Sequence, residues 1–193
     1  MRIFLILLPF GVFSLLMLAT AAEMALFAAA ATGLFVIAYD LIRGRQLKML
    51  GAGSVALFLG LGLYLALVDP SLSSSAIKLA VDAGVLAISL TSIAIRKPFT
   101  LQYAREVVDA ETLELPGFLK ANYTIAWAWA ACFLLMMIGN ILMIYVPGLP
   151  LWSGLAIAFA ARSTAVYFTR WYPGYRRAKF ATPVSSAGAL SGS

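Results

Sequence analysis

Apolar stretches as long as a bilayer is thick follow one another through this chain with only short polar breaks between them. A hydrocarbon core of about 30 Å needs about 20 apolar residues per helix. Inside it the backbone has to satisfy its own hydrogen bonds, which leaves transmembrane helices or a closed β-barrel. Barrel strands alternate apolar and polar residues, whereas 25–38 and 132–138 run without that alternation. The chain therefore predicts an all-α, polytopic membrane protein. Only 11% of its residues are charged, against roughly 25% in soluble domains, and its loops are too short to hold a second domain.

Six segments are expected, at 3–21, 24–42, 49–68, 76–95, 122–146 and 149–168, paired as three hairpins within a single domain over 1–180. Pro9 and Gly11 are placed to kink the first. Asp69-Pro70, Lys97-Pro98 and Pro147-Gly148 end the others, because the residue before proline resists helix. Arg2, the apolar run after it and Ala19-Thr20-Ala21 imitate a signal peptide. The length of that run, and the second run close behind it, favour a retained helix. The Ser, Gly and Ala-rich tail, 181–193, is expected to be disordered.

Charge orients the bundle. Twelve of the 14 basic residues, including Arg2, Arg43 to Lys48, Arg96 to Arg105, Lys120 and Arg170 to Lys179, fall on one side of the predicted spans. Lys78 alone lies near the other side, and Arg162 falls inside a segment. Basic loops stay in the cytosol, so both termini are expected there. The net charge of +6 is thus spent on orientation at the membrane, and a nucleic-acid partner is not expected. The absence of histidine removes imidazole-ligated haem, the common zinc sites and histidine-based triads. Cys132 is alone and cannot form an intrachain disulfide. No cofactor, metal or catalytic residue is expected, and the chain reads as non-enzymatic.

Ionisable groups within a span are costly and are functional candidates by default. Lys78 and Asp82 lie four apart, on one helical face and within pairing reach. At about 1.5 Å per residue, Asp82 and Asn140 come to similar depths on the outer side, and Arg162 lies nearer the midplane. One reading is a polar pocket opening outward, lined by Lys78, Asp82 and Asn140 with Arg162 at its floor. The other has Lys78 snorkelling to outer headgroups, Asp82 pairing with it, and Arg162 reaching inner water or a carbonyl, all to fix helix register. Asp40 and Tyr39 read as interfacial.

Gly51, Gly53, Gly60 and Gly62 in the third segment, with Ala28 to Ala31 in the second, predict close packing of those helices. Trp152 and Trp171-Tyr172 flank the last segment as an aromatic belt. In the largest inner loop, Phe99, Tyr103, Val107 and Ala110 fall at helical spacing. They predict one surface helix, begun at Pro98 and stopped at Pro116-Gly117. Its polar face carries Glu106, Asp109, Glu111 and Glu114, which suits a protein partner better than an anionic leaflet.

Within the fifth segment, Ala128-Trp129-Ala130, Cys132-Phe133 and Asn140 resemble the pattern of the bacterial septation protein A family of inner-membrane-spanning proteins. There, Ala-Trp-Ala is followed by aromatic residues and then by Asn. Leu8-Pro9 with Val12-Phe13, the Ala19-Thr20-Ala21-Ala22 run, Lys78 opening the fourth segment and Lys97-Pro98 after it are similar in order. The likeness covers about 4–168. It departs at Trp152, followed here by Ser153-Gly154, at Arg162 and in the 105–114 loop. It implies a bacterial plasma-membrane protein that supports cell-envelope synthesis or septation through other membrane or envelope proteins, with Lys78, Trp129 and Asn140 as the motif positions. The residues themselves leave a small transporter, channel or lipid-handling protein open as the alternative. They are also compatible with a homo-oligomer or a subunit of a larger complex.

Overall fold

The computed structural model describes residues 3–115, 117–146 and 148–180, and among these every regular element is helical. The elements are α1 (Ile3–Ala19), α2 (Ala22–Ile42), α3 (Met49–Leu67), α4 (Ser74–Ala94), α5 (Phe99–Ala104), α6 (Ala110–Glu114), α7 (Phe118–Tyr145) and α8 (Leu151–Phe180). Four of them, α2, α3, α4 and α7, are long and apolar enough to cross a membrane. The apolar part of α1, Leu7–Ala19, is shorter. α8 is long enough, but Arg162 and a basic second half dilute it.

The helix ends follow local chemistry. Ser73 caps α4, its hydroxyl accepting the Ala76 amide at 3.2 Å, which satisfies one orphan N–H of the first turn. α2 closes into a turn in which Gly44 takes φ +68°, a conformation glycine adopts without steric cost.

The long helices pack largely in chain order: α1 on α2, α2 on α3, α3 on α4, α4 on α7 and α7 on α8. The core is apolar. Phe58 is fully buried, with ring centroids of Phe10 and Phe13 at 5.3 and 5.5 Å. The expected closeness of the second and third segments is present at Gly62, where an added Cβ would lie 3.1 Å from the Phe27 ring. The tightest approach lies elsewhere. A Cβ on Gly84 of α4 would fall 2.3 Å from Leu57 Cδ1. Outward, Phe35, Leu67 and Phe159 are 70, 78 and 75% exposed, a surface suited to hydrocarbon rather than water.

Three expectations need correction or placement. The last helix does not end at 168 but runs 30 residues to Phe180, about 45 Å. It continues past Pro173, which only deprives the Thr169 carbonyl of its donor. The inner loop forms two short helices instead of one, because the Asp109 carboxylate accepts the Thr112 amide at 2.8 Å and starts α6 afresh. The loop also folds inward, burying Phe99 and Leu101. Its position is held by Thr100, whose hydroxyl donates to the Asn122 carbonyl at 2.7 Å. The tail, 181–193, lies outside the described residues.

Candidate functional site

Asp82 sits on the face of α4 that meets α7 and is 7% exposed. Asn140 of α7 donates from Nδ2 to its Oδ2 at 2.6 Å. Arg162 of α8 lies within electrostatic range of the same carboxyl. Asp82, Asn140 and Arg162 thus converge, as their depths suggested. Lys78 does not join them. It is half-buried one turn earlier on α4 and forms no ion pair among the described residues. The Lys78–Asp82 pair read from i,i+4 spacing is replaced by a contact between helices, because α7 presents the Asn140 amide directly to the carboxyl.

Beyond Asp82 a half-open cavity of about 1190 Å³ is lined by residues of all six long helices. Phe10, Val85, Ile125, Phe133 and Met136 make its walls apolar, with Asp82 and Arg162 among them. The cavity continues to Arg45, Lys48, Lys120, Arg170 and Arg176, the basic end of the molecule. Neither Lys78 nor Asn140 is among its described lining residues. The lining of this cavity runs from Asp82 toward those basic residues and not past Lys78. The reason lies in the packing at the level of Asp82. The Asn140 bond ties α4 to α7 there, and Gly139 lets α8 approach so closely that an added Cβ would meet Ile157 Cγ2 at 3.0 Å.

The basic rim is organised from within. Asp40 accepts Arg45 Nη1 at 2.8 Å and Lys48 Nζ at 2.5 Å, and the same ammonium lies 3.1 Å from Glu106. Lys48 is only 8% exposed and stands 5.3 Å from the centre of the Tyr103 ring, in cation–π range. Gln102 accepts the Met49 amide at 2.8 Å. The α2–α3 turn is thereby clamped to α5 and the segment after it. Burial first, then the Asp40 and Glu106 carboxylates, push the Tyr103 phenol above its ordinary value of 10.0. Asp40, read from the sequence as interfacial, is the hub of this network.

On the opposite wall, Trp129 is buried and its indole N–H donates to Thr169 Oγ1 at 3.0 Å. Trp152, at the start of α8, and Trp171, about two-thirds along it, remain exposed. Arg176 donates to the Gly117 carbonyl at 2.9 Å, in a space that exists because residue 117 has no Cβ: one would lie 2.8 Å from Arg176 Nη2.

Asp40, Gln102, Tyr103 and Glu106 were not singled out as site residues by sequence reasoning. The one local signal was an acid at position 40 preceding the basic turn at 43–48. Among the described residues, no group of three or more His, Cys, Asp or Glu side chains is placed to hold a metal. No family model, curated protein or solved structure matches this chain.

Proposed function

We propose that this chain is a non-catalytic protein of the bacterial plasma membrane, similar in kind to the septation protein A family. In this reading it crosses the bilayer six times with both termini in the cytosol. It supports cell-envelope synthesis or septation by holding an amphiphile in its half-open cavity and working through membrane partners. The observation that carries the reading is the cavity itself, apolar along its walls and basic at one end. A purely structural scaffold has no need of so large a gap between its helices, since membrane bundles gain stability by close packing.

Native mass spectrometry of the full chain, purified in mild detergent, tests the amphiphile. Gly51 lines the cavity, and a Cβ there meets only Ile37 Cγ1 at 3.8 Å, so Gly51→Leu projects its side chain into the cavity. Lipid adducts are expected on the parent and not on this variant. Equal adducts on both would overturn the reading. Orientation is tested with single cysteines in a Cys132→Ser background: Gln46→Cys should react only with cytosolic reagent and Ser74→Cys only with external reagent.

The position of Asp82 and Arg162 on the cavity wall favours one second reading, a small transporter. Alanine at either position should then abolish flux in reconstituted vesicles, and unchanged flux removes it.

A further inference from the structure

We infer that the amphiphile enters this cavity sideways from the bilayer, through the seam between α1 and α8, with Pro9 and Pro173 as the points at which those helices part. This rests on the reading of the cavity as an amphiphile site and adds the route by which that site is filled. The long helices pack in chain order, and the series is left open. α1 leans on α2, α8 leans on α7, and among the described residues α1 and α8 are not themselves a closely packed pair. Both still line the same cavity, α1 through Leu7, Pro9 and Phe10, α8 through Arg162, Thr169 and Pro173. Both also carry exposed apolar side chains, such as Leu15 and Phe159, so each borders hydrocarbon.

Other ways in are bridged. Toward the basic end, the 99–115 segment contributes to the cavity lining. It is bonded to α7 by Thr100, which donates to the Asn122 carbonyl at 2.7 Å, and to α3 by Gln102, which accepts the Met49 amide at 2.8 Å. At the level of Asp82 the Asn140 bond joins α4 to α7. The seam, by contrast, has a means of widening. Among the described helices only α1 and α8 contain an internal proline, and both prolines lie on the cavity wall. A proline removes one backbone hydrogen bond and is where a helix bends. Pro9 lies about 9 Å from the start of α1 and Pro173 about 11 Å from the end of α8, both toward the basic end. Gly11 and Gly174 follow them, and a Cβ at either would meet nothing within 4 Å, so each bend has room. Sideways entry also suits an amphiphile. Its chain passes from hydrocarbon to the apolar wall without crossing water, where every exposed CH2 is unfavourable, while its polar head stays at the interface.

Trp129, buried on the cavity wall, reports which side the cavity opens to. In a Trp127→Phe/Trp152→Phe/Trp171→Phe background it is the sole tryptophan of the chain. The full chain is reconstituted in phosphatidylcholine vesicles, and its fluorescence is challenged with two quenchers: phosphatidylcholine brominated on its acyl chains, and aqueous acrylamide, which is neutral and therefore indifferent to the charged rim. The brominated lipid is expected to quench Trp129 and acrylamide to leave it nearly unquenched. Gly51→Leu, which fills the cavity, is expected to lose most of the lipid quenching. Pro9→Ala/Pro173→Ala, which restores the missing backbone donors, is expected to weaken it. Gly11→Ala/Gly174→Ala, which meets no neighbour and stiffens the same two helices, is expected to do likewise and serves if the proline variant does not fold. Lipid quenching unchanged in Gly51→Leu would come from lipid around the bundle and would overturn the seam. Quenching lost in Gly51→Leu but unchanged in both helix variants would overturn the two bends. Acrylamide quenching stronger than lipid quenching would place the mouth at the aqueous end and overturn the seam while leaving the amphiphile reading standing. Absence of quenching by either would bring down the amphiphile reading itself.

Discussion

The contact between Asp82 and Asn140 decides whether α4 and α7 are placed correctly, and a double-mutant cycle can measure it. Side-chain hydrogen bonds between membrane helices average about 0.6 kcal/mol and reach about 1.7 kcal/mol. This one is short, 2.6 Å, and its acceptor is 7% exposed, so the coupling is expected in the upper part of that range, about 1–1.7 kcal/mol. Asp82→Ala alone also strips Arg162 of the carboxyl it faces, so it should cost more than Asn140→Ala; the cycle separates that loss from the pair itself. A second cycle serves as the control. Lys78→Ala and Asp82→Ala should be additive within about 0.5 kcal/mol, because Lys78 makes no ion pair with Asp82. The assay is the unfolding free energy of the four proteins of each cycle in mixed micelles, by titration with a denaturing detergent. Strong coupling of Lys78 to Asp82, with none between Asp82 and Asn140, would refute the helix placement and with it the closed end of the cavity.

Gly84→Ala should destabilise the bundle by about 1–3 kcal/mol, the usual cost of overpacking, since its Cβ would lie 2.3 Å from Leu57 Cδ1. Adding Leu57→Ala should recover part of that loss in the same unfolding assay, and a neutral Gly84→Ala would show that the Leu57 side chain turns aside or that α3 and α4 stand further apart. Tyr103 gives a pH dependence of defined sign. Its phenol is held above the ordinary 10.0, so above about pH 10 the unfolded chain loses a proton that the folded chain keeps. Stability should therefore fall by up to about 1.4 kcal/mol per pH unit on the alkaline side. Tyr103→Phe should remove that component from melting curves taken between pH 8 and 11.5, and an alkaline limb unchanged in the variant would place the phenol in water.

How far the sequence could be read depends on what a bilayer does to pattern. Segment length and the Pro and Gly breaks located the long helices, because an apolar run of span length has few alternatives in hydrocarbon. Which way each helix faces was not legible in the same manner. In water an apolar stripe marks the inner face, but on α7 the buried Ile125, Phe133 and Met136 and the exposed Trp127, Leu134 and Leu135 are all apolar. Only polar residues then carry facing information, and Asp82, Asn140 and Arg162 did so. Their partners were less accessible. Local spacing pairs Asp82 with Lys78, four residues away, whereas Asn140 lies 58 residues along the chain. The rim shows the same limit. Arg45 and Lys48 read as charges that orient the protein, and their sign serves that reading, but Glu106 reaches Lys48 only because α5 folds inward. Orientation and an internal ion network make different demands on those two residues. An orienting charge needs only its sign, so Lys48→Arg should preserve orientation. Lys48 stands 8% exposed between Asp40 and Glu106, so a planar, bulkier fork there has to change how the two carboxylates are held, and Lys48→Arg should lower the unfolding free energy while leaving orientation intact.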